Sequence, residues 1–464
     1  MRPEIRERIE QIRRGEVPEG YKRTKVGVIP EDWKVKKIKE FSRTSSGSTP
    51  DRKKVEYYYH GSINWFKTGE LGAKYLYVSE EKVTKQALKE TSIKLFPENT
   101  LLIAMYGATI GKMSILMTPS TTNQACCAIL PNENFDNEYV YYQLSCLKDQ
   151  LISKGAGAAQ PNISQEIIQN FYIPFPQLDE QREISKVLSE WDKAIELKEK
   201  LIEQKKLQKK GLMHLLLTGK VRWSEIDRID LKKGLDELEQ GLIPQGYKNS
   251  KIGIIPNDWN VLKLRNIVQR IHRKNDGEDY PVLTISSLSG FLDQSERFSK
   301  VIAGENLSKY ILLERGEFAY NKGNSKTYPY GCIYRLDSHE KALVPNVYYC
   351  FRVIYGDSEY YKQYFLAGAL NRQLARVINT GVRNDGLLNI DAEDFFDCLI
   401  HVPPLEEQKK IAMVLSTADR EIHLLEQELE ALKQQKKGLM QLLLTGIVRV
   451  HELEQVECLT LCSS

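Results

Sequence analysis

At 464 residues the chain has room for two to four domains with separate cores, and 41% hydrophobic with 28% charged residues is the balance of a soluble globular protein. A net charge of +4 is too mild to mark a dedicated nucleic-acid binder, yet it does not exclude one whose partner subunits supply much of the phosphate contact. No apolar run approaches a membrane span, Met1-Arg2-Pro3-Glu4-Ile5-Arg6 lacks a signal core, and the 8 cysteines show no zinc spacing with histidine; a cytoplasmic chain with buried or inert thiols is the expectation.

Residues 3–15 read as a short charged helix ended by Gly15 and Pro18. From 20 to 176 runs a mixed region. Its β-leaning stretches (Tyr75-Leu76-Tyr77-Val78, Thr100-Leu101-Leu102-Ile103-Ala104-Met105-Tyr106) alternate with polar turns and brief helical patterns such as 138–153. Pro174 and Pro176 close it, and Asp179-Glu180-Gln181-Arg182 opens a long helix with acidic groups where the helix dipole favours them. Residues 231–241 repeat the small leading helix, 246–404 form a second mixed region, and Glu406 opens a second long helix that ends near Gly446. Residues after about Arg449 read as a loosely held tail.

The chain contains part of itself twice. Leu207-Gln208-Lys209-Lys210-Gly211-Leu212-Met213 through Leu217-Thr218-Gly219-Lys220-Val221-Arg222 returns as 434–449. Gly20-Tyr21-Lys22 and Gly27-Val28-Ile29-Pro30-Glu31-Asp32-Trp33 return as Gly246-Tyr247-Lys248 and Gly253-Ile254-Ile255-Pro256-Asn257-Asp258-Trp259. Copies this far apart are duplicated domains rather than a solenoid. The residues between the shared segments barely resemble each other, so one frame carries two different cargoes.

The long helices carry the clearest periodicity. In the second, Ile411, Leu415, Ala418, Ile422, Leu425, Leu429, Leu432, Lys436 and Leu439 alternate steps of four and three, a heptad seam. The equivalent positions in the first are Ile184, Leu188, Trp191, Ile195, Lys198, Ile202, Lys205, Lys209 and Leu212, broken by lysine in the C-terminal half. Bulky Trp191 and small Ala418 share one place in the repeat, a hint of unlike helices. Each helix could simply pack on its own domain. The sharper reading pairs them as an intramolecular antiparallel coiled coil, a rod of roughly 50 Å for some 35 residues at ~1.5 Å each, which would serve as a ruler.

Two unlike globular regions alternating with two near-identical helical ones resemble the specificity subunit of type I restriction–modification systems over nearly the whole chain. Gly27 to Trp33 and its copy match the family's approach to each target-recognition domain. Pro176-Gln177-Leu178-Asp179-Glu180-Gln181-Arg182-Glu183-Ile184 and Pro403-Pro404-Leu405-Glu406-Glu407-Gln408-Lys409-Lys410-Ile411 match the start of its spacer helices; Lys210-Gly211-Leu212-Met213 with Leu217-Thr218-Gly219, and Lys437-Gly438-Leu439-Met440 with Leu444-Thr445-Gly446, match their ends. The resemblance implies an α+β chain: two mixed α/β target-recognition domains separated by two long helices forming the coiled coil, with a pseudo-two-fold internal duplication. The expected divisions are 1–176 (leading helix and first recognition domain), 177–222 (first helix), 223–404 (linker helix and second recognition domain), 405–449 (second helix) and 450–464 (tail).

The resemblance further implies a subunit without catalytic activity or cofactor of its own. It would read a split sequence in double-stranded DNA, one half per domain, with the helices setting the unread gap. It would dock two methyltransferase subunits, giving an adenine methylase that uses S-adenosylmethionine, and two restriction subunits that cleave. A duplicated frame suits duplex DNA, and divergent cargo predicts two different half-sites.

Candidate DNA contacts follow. Ser46-Gly47-Ser48-Thr49-Pro50-Asp51-Arg52 is a hydroxyl-rich turn similar to the family's Gly-Thr-Pro loop, with Ser48 where glycine is usual; Ser48, Thr49 and Arg52 suit phosphates and base edges, although the stretch can equally be a solvated turn. Trp65 reads as core, with Lys67 and Thr68 as contacts. Tyr106-Gly107-Ala108-Thr109-Ile110-Gly111-Lys112 is no phosphate loop, since its glycines are too close and Met113 stands where a magnesium-holding hydroxyl belongs. In the family a similar segment is a hairpin, which offers Tyr106, Thr109 and Lys112 to DNA. Asn123 and Gln124 can pair bidentately with adenine or tie down a turn. Gln160 and Arg383 sit in matched flexible stretches as base readers, while the matched Asn162 and Asn389 read as helix caps. In the second domain Tyr310, Tyr320, Tyr328, Tyr330, Tyr334, Tyr348 and Tyr349 read mostly as half-buried strand residues. Asn321, Lys322, Ser325 and Lys326 parallel the Tyr106 hairpin by position; Arg270, His272, Arg273 and Lys274 suit phosphates.

Base methylation by the chain itself is disfavoured, because no Asn-Pro-Pro-Tyr or Asp-Pro-Pro-Tyr segment and no glycine-rich cofactor loop is present. The rivals are a specificity subunit for another methylase or defence complex, and a coiled-coil adaptor that does not bind DNA.

Overall fold

The computed structural model describes residues 3–155, 162–223, 241–286, 289–294, 307–323, 328–378 and 388–453. The chain divides into two compact units, Met1–Lys198 with Glu428–Ser464 and Glu199–Gln427. Each long helix therefore contributes to both.

The first unit is built on the strands Thr44–Ser46 (β1), Leu101–Ala104 (β2), Met113–Leu116 (β3) and Cys126–Ile129 (β4), antiparallel in the order β1-β4-β2-β3, with Tyr75–Leu76 added parallel to β3. Alternate residues of a strand point to opposite faces. Leu101, Ile103, Met113, Ile115, Cys127 and Ile129 thus share one cluster with Tyr139 and Val140 of the helix Asn137–Cys146. Leu102, Ala104, Leu116, Cys126 and Ala128 share another with Phe66, Leu71 and Phe96. Burial on both faces is why these strands read as continuous apolar runs. It also pushes the Cys126 and Cys127 thiols up to about 12, so they are inert.

The second unit repeats this frame with different residues. Val268–Ile271 (β5), Phe318–Asn321 (β6), Cys332–Arg335 (β7) and Tyr349–Val353 (β8) pair antiparallel in the order β5-β8-β6-β7, the same path as β1-β4-β2-β3. The helix after the last strand recurs too. Asp136 caps Asn137–Cys146 by accepting from the Tyr139 N–H at 2.7 Å, and Asp357 caps Ser358–Leu366 from the Tyr360 N–H at 2.8 Å. The core here is aromatic: Phe318 stacks on Phe351 at 5.4 Å and Tyr320 on Phe395 at 4.4 Å between centroids. Tyr320 and Tyr348 are buried, and Tyr310, Tyr328, Tyr330, Tyr334 and Tyr349 are half-buried, as the tyrosine density suggested.

The long helices Leu178–Leu217 (α1) and Leu405–Leu444 (α2) each run 40 residues. All nine seam positions named on each are buried or half-buried. In the first unit Lys198 pairs with Glu428 at 2.7 Å and Lys436 with Asp192. In the second Lys205 pairs with Glu421 and Lys206 with Glu426, both at 2.6 Å, and Lys209 with Asp419. Numbers rise on one helix as they fall on the other, so the pairing is antiparallel. The seam lysines do not break it: each lays an apolar stem in the seam and carries its charge to a carboxylate on the facing helix.

The repeated motifs recur because they meet. In the first unit the Trp33 indole N–H donates to Glu180 at 3.0 Å, and Arg449 pairs with both Glu180 and Asp32. In the second, Trp259 donates to Glu407 at 3.0 Å while Arg222 holds Glu407 at 2.8 Å and Asp258 at 2.9 Å. Gly446 (φ +69°) and Gly219 (φ +71°) turn the chain there; a Cβ on them would lie 2.5 Å from Pro30 Cδ and 2.6 Å from Pro256 Cδ. Leu443 and Leu444 enter the core beneath Trp33, as Leu216 and Leu217 do beneath Trp259.

Two expectations are corrected. Residues 450–453 are not a loose tail: Val450–Leu453 is helical, Val450 and Leu453 pack on the first unit's core, and Glu452 pairs with Arg8 at 3.0 Å. Asn162 and Asn389 are not helix caps. Ser164 caps Gln165–Gln169 through the Ile167 N–H at 3.2 Å, a reach that an amide two residues earlier does not have, and Asp391 stands at the N-cap position of Ala392–Phe396 without a side-chain cap bond. The repeat of the leading helix at 231–241 falls, except for Gly241, outside the described residues.

Candidate nucleic-acid interface

Strand direction gathers the first domain's candidates. Residue 46 pairs with 127, and 104 with 126. The segments 47–52, 105–112 and 122–125 therefore all leave the sheet at one end. The loop 122–125 is also held beside Trp65 and Phe66, because Thr121–Thr122 pairs parallel with Ile63–Phe66.

Two groups of side chains result. In one, the Thr49 hydroxyl donates to the Gln124 carbonyl oxygen and Ser48 shares a hydrogen bond with Ser92 at 2.9 Å. The Arg52 guanidinium lies over Trp65 (4.6 Å) and Tyr58 (4.8 Å) and pairs with Glu81, which also takes Lys67 at 2.8 Å. Those two cations hold the Glu81 carboxyl below the usual carboxylate range, through the Arg52 bond first and the Lys67 bond second. Trp65 is core, 1% exposed, with its indole N–H donating to the Ser48 carbonyl at 3.1 Å. Thr68 is half-buried in the turn after Lys67. Asn123 ties down its turn, accepting from the Cys126 thiol at 3.3 Å.

The other group is the β2–β3 hairpin. Gly107 accepts from the Ile110 N–H at 3.1 Å and Thr109 from the Lys112 N–H at 2.9 Å, leaving Tyr106 and Lys112 exposed and Thr109 half-buried. The amide of Ile163 donates to the Met105 carbonyl at 2.8 Å, which ties residue 163 to the same end; Gln160 lies outside the described residues.

The second domain has the same layout. Residue 271 pairs with 350 and 321 with 332, so 272–274 and the segment after Asn321 leave one end of that sheet. Leu388 donates to the Lys322 carbonyl at 2.9 Å, the counterpart of Ile163 on Met105. Asn321 is engaged internally, donating to the Ile285 carbonyl at 3.1 Å and accepting from the Gly323 N–H at 2.9 Å. Lys322 lies over Tyr349 at 4.6 Å. Arg273 is engaged with Glu317 (2.7 Å) and the Leu312 carbonyl (3.2 Å), and Arg270 lies over Phe396 at 5.0 Å. His272 and Lys274 are exposed. Ser325, Lys326 and Arg383 lie outside the described residues.

Glu81 and Tyr58 escaped the reading from sequence. Their only local signal is charge and aromaticity in a polar stretch; the pairing of Ile63–Phe66 with Lys82–Val83 brings Glu81 to Arg52, and the Tyr58 hydroxyl donates to the Pro50 carbonyl at 2.7 Å. Among the described residues no group of three or more histidine, cysteine or carboxylate side chains could hold a metal. None of the described helices is long and apolar enough to cross a membrane.

A family model described as the type I restriction modification DNA specificity domain matches residues 30–206 and again 256–434. The chain belongs to this family. It is 26% identical over 445 residues to the type I restriction enzyme MjaIX specificity subunit of Methanocaldococcus jannaschii, covering 93% of this chain and 97% of the relative. The MjaVIII specificity subunit of that organism is also 26% identical, over 91% of this chain and 94% of its own length. A solved structure described by its role in complex assembly and conformational transition of the type I R-M system has the same fold, with a TM-score of 0.52 at 11% identity over 90% of this chain and 99% of that one.

Proposed function

We propose that this chain is the non-catalytic DNA specificity subunit of a type I restriction–modification complex. Each domain reads one half of a bipartite, asymmetric site in double-stranded DNA, and the paired helices set the gap between the halves. The chain docks two methyltransferase and two restriction subunits in the cytoplasm. Its relatives are named as specificity subunits, and the single observation that carries the reading is the recurrence of one strand frame with different loops at the same sheet end. A shared frame with unlike loops suits two different half-sites presented to the same partners.

The contacts assigned to the first half are Ser48, Thr49, Arg52, Lys67, Thr68, Tyr106, Thr109, Lys112, Asn123, Gln124 and Gln160. Those assigned to the second are Arg273, Asn321, Lys322, Ser325, Lys326 and Arg383. Hydroxyls, amides and guanidinium groups at a loop-bearing sheet end can bond both phosphate oxygens and base edges. Arg273 bonds Glu317 and Asn321 the Ile285 carbonyl within the domain, bonds that a DNA contact would replace.

The test is to map methylated adenines in cells carrying the chain with its methyltransferase partner, then exchange residues 246–403 for another recognition domain. A split motif that changes in one half only is the expected result. A change in both halves, or methylation independent of the chain, would refute it; an adaptor that does not bind DNA would leave the motif untouched.

A further inference from the structure

A cleft of about 450 Å³ opens beside the β2–β3 hairpin, lined by Gly72, Gly111, Lys112, Met113, Tyr141, Ser145 and Lys148. Its walls come from three places in the sequence. The hairpin supplies Lys112, the segment before Tyr75–Leu76 supplies Gly72, and the consecutive helices Asn137–Cys146 and Lys148–Ser153 supply Ser145 and Lys148. Two glycines keep these walls close. A Cβ on Gly111 (φ +71°) would lie 3.1 Å from Lys148 Cε and 3.0 Å from Ile152 Cδ1; one on Gly72 (φ +140°) would lie 3.6 Å from Lys112 Cδ.

Two lysines, Lys112 and Lys148, supply the charge of this cleft. Arg52, Lys67, Lys74, Lys209 and Lys436 each face a carboxylate. Among the described residues, no carboxylate lies within ion-pair distance of Lys112 or Lys148. Lys112 is exposed and Lys148 half-buried. A concave, two-lysine site with a hydroxyl and no resident anion has the composition of a phosphate receptor.

Resting on the reading of the chain as a DNA-binding subunit, we infer that Lys112, Lys148 and Ser145 form a seat for a backbone phosphate of the bound duplex. Its position at the loop-bearing end places that phosphate beside the first half-site. Lys148 and Ser145 stand outside the segments assigned to base reading, so the seat fixes the register of the duplex and carries no sequence information.

The experiment measures binding of the full chain to a random-sequence duplex over a series of salt concentrations, by fluorescence anisotropy. The variants are Lys148→Met, Lys112→Met, their combination, and Lys409→Met as a control for losing one charge elsewhere. Each phosphate contact contributes about 0.9 to the slope of log K against log salt. The seat predicts that each cleft variant flattens the slope by about that amount, the double variant by about twice it, and the control not at all, with unchanged melting temperatures. Binding by the wild type with slopes unaltered in the cleft variants overturns the seat and leaves the specificity-subunit reading standing. Equal flattening by the Lys409 control also overturns it. Failure of the wild type to bind any duplex, including the mapped methylation site with the methyltransferase present, overturns both.

Discussion

Asp192 on the first long helix and Lys436 on the second form an ion pair, and Asp419 and Lys209, which stand 227 residues after the one and before the other, form the same pair with the helices exchanged. The surroundings of the two pairs differ. Asp192 also accepts from the Tyr142 hydroxyl and lies 3.5 Å from Lys74. Asp419 has only the Gln363 amide, at 2.9 Å, in the place of Tyr142. Burial works to lower the pKa of Lys74, but its bonds to Glu138 and Tyr142 hold it above the ordinary lysine value, so it stays charged.

This difference predicts unequal costs. Lys209→Met leaves Asp419 with no cation and should destabilise the second unit by about 1–2 kcal/mol. Lys436→Met leaves Asp192 with Lys74 and should cost less. Urea denaturation of both variants decides it, and equal losses would mean that Lys74 does not compensate.

Arg449 joins Asp32 and Glu180 from a position 417 residues after Asp32. Truncation after Leu444 should therefore weaken the opposite end of the sequence, exposing residues 3–40 to protease while leaving the second unit protected. Arg449→Ala alone should cost roughly 2 kcal/mol, a partly exposed pair being worth less than a fully buried one. Arg222→Ala should have the matching effect in the second unit.

His401 is buried beside Trp259, with its ring nitrogen 3.2 Å from the Tyr364 hydroxyl, and burial lowers its pKa to about 4. The unfolded ring takes a proton near pH 6.5, the folded one near 4, so the unfolded state binds more protons between them. The stability that neutral His401 contributes is complete above pH 6.5 and is lost as the pH falls to about 4, up to roughly 3 kcal/mol. Denaturation of the wild type and His401→Gln across this window checks it; the variant should show the flatter profile.

Glu81 holds Arg52 and Lys67, so at the proposed interface it would compete with DNA for both. Glu81→Gln should tighten binding to a generic duplex, on the order of a few-fold at low salt, and reduce discrimination at the first half-site. Unchanged affinity would remove Arg52 and Lys67 from the interface.

Inserting one heptad at residue 200 and another at 427 preserves the seam and lengthens each helix by ~10.5 Å, about three base pairs. Methylation mapping should show a longer gap with both halves unaltered. An unchanged gap would end the ruler reading.

The heptad seam, the ends of the long helices and the duplicated frame were legible in the residue order, because they rest on periodicity and on local capping and turn chemistry. Ile184, Leu188, Ile411 and Leu415 are buried where their spacing put them. The grouping of Ser48, Thr49 and Gln124 was partly legible, as two polar stretches without a stated meeting place. What the folded molecule added is contact between distant segments. The two domains share a strand order that their residues hide, because aliphatic Ile103 and aromatic Tyr320 can fill equivalent cores. Leu443, Leu444 and Arg449 complete the first unit because hydrophobic burial and charge pairing depend on distance in space, and distance along the chain carries no trace of it.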